Sequence, residues 1–207
     1  ARSEVERRRL EPSDDRHDEF LNGIWGVDAN NVWIVGQGGA IFRWDGTAWT
    51  AQVSPTTSSL SGAWGTGANN IWAVGSSGAI VRWDGTSWAS QNSGTLNLLL
   101  SVWGTAADSV FAVGYNGVIL RWNGSAWAAQ TAVTTRNFSG LWGSSASSAW
   151  AVGFDGVVAA WNGSAWTLSQ SGPTPDLEWI WGRNASELWA AGAGGAILRG
   201  NGSTFTA

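Results

Sequence analysis

The dipeptide Trp-Gly recurs at Trp25, Trp64, Trp103, Trp142 and Trp181, each 39 residues after the last. Four further columns keep that period without an insertion. They are Trp33, Trp72, Phe111, Trp150 and Trp189; Gly36, Gly75, Gly114, Gly153 and Gly192; the turn pairs opening at Asp45, Asp84, Asn123, Asn162 and Asn201; and Trp49, Trp88, Trp127, Trp166 and Phe205. A unit repeated at fixed spacing is one supersecondary element, which buries its apolar faces by stacking on copies of itself. No other feature of the chain limits its possible folds so tightly.

Within a unit the β signal comes in four short runs. In the second unit these are residues 60–65 (LSGAWG), 71–75 (IWAVG), 79–83 (AIVRW) and 86–90 (TSWAS). Asp84-Gly85 separates the last two. Asp-Gly or Asn-Gly between β-rich runs predicts a two-residue type I′ hairpin, which needs positive φ at both central residues. The triplets Asn123-Gly-Ser, Asn162-Gly-Ser and Asn201-Gly-Ser match the glycosylation acceptor pattern and are read as by-products of that turn.

Four antiparallel strands in about 40 residues, repeated in tandem, predict an all-β five-bladed β-propeller. The blades fall at about 21–59, 60–98, 99–137, 138–176 and 177–207, after a charged N-terminal tail at 1–20. A whole first strand lies near 20–25 and a whole last strand near 203–207. The ring is therefore expected to close within one chain by blade packing, so that losing one unit would force a different tilt on the rest.

Composition agrees. Only 13% of residues are charged, while 18 are Trp and 29 are Gly. A buried Trp removes roughly 150–250 Å² from water, worth at most about 4–6 kcal/mol at about 25 cal/mol/Å². Most of the Trp columns are accordingly assigned to packing. The chain has no Cys, hence no disulfide and no thiolate metal site, and no cofactor is expected. A net charge of −4 speaks against a broad nucleic-acid surface, and no apolar run is long enough to span a membrane.

The segment NIWAVGSSGAIVRWDGTSW, residues 70–88, resembles the repeats of the Asp-box (BNR-like) propellers. That group includes the photosystem II assembly factor and exported bacterial proteins often labelled glycosyl hydrolase-like. The resemblance extends over residues 21–207 and implies the propeller fold in an exported or extracellular bacterial setting. Asp45-Gly46 and Asp84-Gly85 are adjacent here, where the strict Asp-box has one residue between. The expected architecture is also similar to the five-bladed tachylectin-type lectins, without their motifs.

Enzymatic chemistry finds no footing in the sequence. The sole His, His17, lies in the tail, which leaves no His-based triad or His-rich metal site. A sialidase-like site needs an arginine cluster with a Tyr/Glu pair, and the only Tyr is Tyr115. Glycosidase chemistry needs two carboxylates at a set separation, but Asp28, Asp108, Asp155, Asp176, Glu178 and Glu187 are scattered. Asp45 and Asp84 become Asn in three units, as suits a turn. The column Arg43, Arg82, Arg121 and Arg199 reads either as an anionic-ligand ring or as guanidiniums laid on neighbouring Trp rings, and the second reading is favoured.

Strand order places the second-to-third turns and the fourth-to-first loops on one side. That side varies, its turns opening with Gln37, Ser76, Tyr115, Phe154 and Ala193. Tyr115, Asn116, Phe154 and Asp155, with Gln37, are the candidate ligand-binding residues, an aromatic contact on a polar rim. Trp179 joins them because it replaces Gly23, Gly62, Ser101 and Gly140; it either fills the axis or lines a central pocket. The leading functional expectation is a non-enzymatic, lectin-like carbohydrate-binding module, using loops or repeated inter-blade grooves whose avidity comes from number. The alternative is a protein-interaction or assembly scaffold using the variable face and the tail.

Residues 1–20 hold 12 of the chain's 26 charged side chains. Ser3 with Glu6 offers a capping box, Glu4 pairs with Arg8, and Pro12 supplies a stop. Such a segment is either a loosely docked tail or a docking peptide for another protein.

Overall fold

The computed structural model describes residues 20–170 and 175–206; the tail, with its capping box and His17, lies outside them. Five sheets follow one another. Sheet 1 comprises β1 (Leu21–Asp28), β2 (Asn31–Gly36), β3 (Ile41–Trp44) and β4 (Trp49–Ala51). Sheet 2 is β5 (Leu60–Gly67), β6 (Asn70–Gly75), β7 (Ile80–Trp83) and β8 (Trp88–Gln91). Sheet 3 is β9 (Leu99–Ala106), β10 (Ser109–Gly114), β11 (Ile119–Trp122) and β12 (Trp127–Ala129). Sheet 4 is β13 (Phe138–Ser145), β14 (Ser148–Gly153), β15 (Val158–Trp161) and β16 (Trp166–Gln170). Sheet 5 is β17 (Leu177–Asn184), β18 (Glu187–Gly192), β19 (Ile197–Gly200) and β20 (Phe205–Thr206). All neighbouring strands within a sheet are antiparallel and lie in sequence order. The first strands pack on one another in series, from β1 through β5, β9 and β13 to β17, and so curve along the axis. The protein is a five-bladed β-propeller.

Rings and missing side chains hold successive sheets together. The second-strand aromatic of one sheet enters the next between that sheet's third- and fourth-strand Trp. Trp72 is fully buried, 5.0 Å from the Trp122 ring and 5.3 Å from Trp127, edge-on to the latter. Phe111 repeats this against Trp161 and Trp166 at 5.2 and 5.3 Å. Edge-to-face pairs add about 0.5–1.5 kcal/mol beyond area burial. Nearer the axis, the Trp of each Trp-Gly pair rests on the glycine of the next. A Cβ at Gly65 would stand 3.1 Å from the Trp25 ring, and one at Gly143 only 2.3 Å from Trp103. Three arginines of the column lie on rings, Arg82 4.9 Å from the Trp72 ring centre, Arg121 5.2 Å from Trp161 and Arg43 5.4 Å from Trp33, while Arg199 is exposed.

Two expectations need correction. The Asp/Asn-Gly pairs are not type I′ hairpins. Each opens a four-residue loop between two paired residues, Trp with Trp in sheets 1 to 4, as with Trp83 and Trp88, and Gly200 with Phe205 in sheet 5. Only the glycine has positive φ (Gly85, +103°). The Asp84 Oδ1 accepts bonds from the Thr86 and Ser87 N–H groups and from the Thr86 hydroxyl, an Asx turn. Asn123, Asn162 and Asn201 do the same with their amide oxygens. The type I′ geometry lies instead in the second-to-third turns, where Ser77 and Gly78 both have positive φ (56° and 67°) and the Ala79 N–H bonds the Ser76 carbonyl.

The second correction concerns closure. Among the described residues, β17 and β1 do not pack together as the successive first strands do. Ile197 is 66% exposed, whereas Ile80 and Ile119 in the same column are 1% and 2% exposed. Across the gap, Ile24 is 66% exposed. The repeat specifies how one sheet sits on the next, and among the described residues four such steps leave an arc with two uncovered faces.

Candidate functional site

The variable face is built on the five type I′ turns. Each begins with a free-choice residue, continues with one in the left-handed region, and ends with glycine. The left-handed position holds Gly38, Ser77, Asn116, Asp155 and Gly194. Asn and Asp tolerate this conformation better than other residues with side chains. Asn116 and Asp155 therefore have a backbone reason for their identity, apart from any ligand.

The left-handed residue also bridges sheets. Its N–H points at the residue preceding the next sheet's first strand: Asn116 N–H donates to Asn137 Oδ1 at 2.9 Å, and Asp155 N–H to Asp176 Oδ1 at 2.8 Å. Gly38 N–H reaches Ser59 Oγ at 3.4 Å. The Asn116 amide donates to Asn97 at 3.0 Å. Arg136 pairs with Asp155 at 3.3 Å, both side chains facing solvent in part.

On this frame the Tyr115 and Phe154 rings meet edge to face, their centroids 6.1 Å apart. Tyr115 stays exposed and Phe154 is half-buried. The structure thus brings together four of the expected residues, Tyr115, Asn116, Phe154 and Asp155, across the junction of sheets 3 and 4. Gln37 occupies the matching turn of sheet 1 and is separated from them by sheet 2. Trp179 belongs elsewhere: it pairs with Ala191 in sheet 5 and is 69% exposed on the uncovered face, filling no axial core. Sequence reasoning missed Arg136, Asn137 and Asp176. The column Ser59, Leu98, Asn137 and Asp176 carried the signal, since a polar residue just ahead of a first strand can accept the neighbouring turn's N–H.

This cluster offers two rings, a guanidinium paired with a carboxylate, and side-chain amides. Between successive sheets the core is filled by aromatic rings such as Phe111 and Trp72. Among the described residues no group of His, Cys, Asp and Glu is placed to hold a metal ion, and no helix is long and apolar enough to cross a membrane.

No protein family matches the chain, and neither does any curated protein. Among solved structures it is similar to YCF48 bound to a D1 peptide, at 20% identity and TM-score 0.70, over 92% of this chain and 66% of that one. It is similar to YCF48 from Cyanidioschyzon merolae, at 15% identity and TM-score 0.66, over 91% of this chain and 71% of the other. The WD40 β-propeller domain of Doa1 matches at 11% identity and TM-score 0.75, over 90% and 67% of the two chains. At such identities the likeness establishes the fold. The chain spans about two thirds of the length of these structures.

Proposed function

We propose that this propeller is a non-enzymatic protein-interaction module that holds a peptide or loop of its partner on the turn face, across sheets 3 and 4. The observation carrying this reading is the Tyr115–Phe154 contact. Two successive turns place rings where packing within a sheet requires none, and the rings touch across a sheet boundary beside the Arg136–Asp155 pair. Rings beside a guanidinium and amides suit a polypeptide segment, whose apolar side chain packs on the rings while its backbone bonds the polar groups. One structural neighbour is a YCF48 with a D1 peptide bound, which supports peptide capture as a use of this architecture.

The test is a displayed random-peptide library screened against the protein, with a glycan array in parallel. Peptide binders are expected, and Tyr115→Ser with Phe154→Ser should weaken them about tenfold or more while melting shifts little. Selective glycan retention without any peptide binder would return the carbohydrate reading to first place.

A further inference from the structure

We propose that the segment held on the turn face is cationic: it sets a Lys or Arg beside Asp155 and Asp176 while an apolar neighbour covers the Tyr115 and Phe154 rings. This rests on the turn-face reading above and names the chemistry of its partner. Two junctions do the same structural work with different side chains. Between sheets 3 and 4, Asn116 holds the left-handed position and its N–H donates to Asn137 Oδ1 at 2.9 Å. Between sheets 4 and 5, Asp155 holds that position and its N–H donates to Asp176 Oδ1 at 2.8 Å. Amides thus meet both requirements one sheet earlier, so neither the turn nor the bridge calls for a carboxylate. Two carboxylates set side by side repel each other. The Arg136–Asp155 pair, both side chains partly in solvent, offsets little of that. The fold alone would be as well served by Asn at both places.

The charges are also gathered in one place. The turn face is made from the five turns and from the loops at 52–59, 92–98, 130–137 and 171–176, and its charged residues are Arg136, Asp155 and Asp176. All three stand between the start of sheet 4 and the start of sheet 5. Negative charge prevails there, two carboxylates against one guanidinium. In the ion pair the Asp155 side chain is 67% exposed and that of Arg136 38%, so an arriving group meets the carboxylate first. Apolar surface leads up to this end. Leu96 is exposed where Thr57 and Thr135 stand in the neighbouring loops, one residue ahead of Asn97, which accepts the Asn116 amide. From there the strip passes Tyr115 and Phe154, whose ring centroids are 6.1 Å apart, and stops at the acids. Exposed apolar surface of this sort marks an interaction site, and its charged end selects the partner by complementarity. Same-side residues of an extended segment are about 6.6–6.8 Å apart, so an apolar side chain over the rings brings a basic one about two to four residues on to the carboxylates. A cation there can also rest on a ring face.

A displayed random-peptide library, panned on the parent and on a variant carrying both Asp155→Asn and Asp176→Asn, tests this. Asn116 and Asn137 already fill the matching positions, so that variant should melt close to the parent. Parent binders are expected to combine an aliphatic or aromatic residue with Lys or Arg within about four positions. A labelled synthetic copy of one such binder should lose about tenfold in affinity on the Asn variant. It should also weaken as salt rises from about 50 to about 500 mM. Replacing its basic residue with Gln should cost as much on the parent and little on the variant. Arg136→Gln removes the competing cation and should tighten the same peptide severalfold. Binders that need Tyr115 and Phe154 but show no basic excess, or that bind the Asn variant equally, overturn the cationic assignment and leave the turn-face reading standing. Binders rich in Asp or Glu would make Arg136 the anchor and overturn it too. A library that yields no binder removes the turn-face reading itself, and this assignment with it.

Discussion

The Trp103 ring occupies the space that a side chain on Gly143 would need, its nearest atom 2.3 Å from the position of a Cβ there. The Ser148 carbonyl closes the other side at 2.8 Å. Gly143→Ala should therefore destabilise by about 1–3 kcal/mol, the usual penalty of overpacking. Gly26→Ala, with no ring above it, should cost less. Denaturant titration of the two variants checks the difference.

The uncovered faces predict an unequal response within one column. Ile80→Ala should cost about 2–5 kcal/mol, as large-to-small changes in a core do. Ile197→Ala should stay within about 0.5 kcal/mol of the parent. Equal costs would mean that the last sheet is covered.

Acid sensitivity should come in part from two turns. The Asp45 carboxyl is held at about 2 mainly by the Thr47 hydroxyl, then by the Ala48 and Thr47 N–H groups. Asp84 is also held at about 2, foremost by the Ser87 N–H and then by Thr86. Asp28 is lowered in the same way, chiefly by the Asn30 N–H. A carboxyl with a depressed folded value stabilises the native state in full above its unfolded value, here 3.8. That contribution drains away as pH falls from 3.8 toward 2. Replacing both residues with Asn, as three other units do naturally, should lower melting slightly at pH 7, where the ionised carboxyls contribute, and flatten its decline between about pH 4 and 2. Melting temperature against pH is the measurement.

Ser77 holds a left-handed conformation at φ 56°, which costs a residue with a Cβ about 1–2 kcal/mol. Ser77→Gly removes that cost against an unfolded-state entropy term of about 0.5–1 kcal/mol, for a net gain of up to about 1 kcal/mol. Asn116→Gly should gain nothing, because Asn tolerates the conformation and its amide bonds Asn97. Thermal melts of the two variants decide it.

Most of the fold was legible because the couplings between sheets are written as columns, and a column of Trp or Gly at fixed spacing has few structural meanings. The turn geometry misled for a local reason. Asp84-Gly85 looks the same in a two-residue hairpin and in an Asx turn; the discriminating feature is Thr86, whose hydroxyl and N–H both bond Asp84, together with the four residues separating Trp83 from Trp88. Closure was not legible at all. The identity of Trp64 and Gly104 dictates that two sheets adhere, but the angle between them follows from how all the rings interdigitate. At the candidate site the rings were visible, whereas Arg136 was not, since nothing in its spacing ties it to Asp155.

Because every joint is the same ring on the same glycine, the units are interchangeable couplings. Excising residues 60–98 joins Ser59 to Leu99 and presents Trp25 to Gly104 as Trp64 was before. With no circle to keep, the remaining four sheets need no new tilt, and the loss should be near that of one sheet.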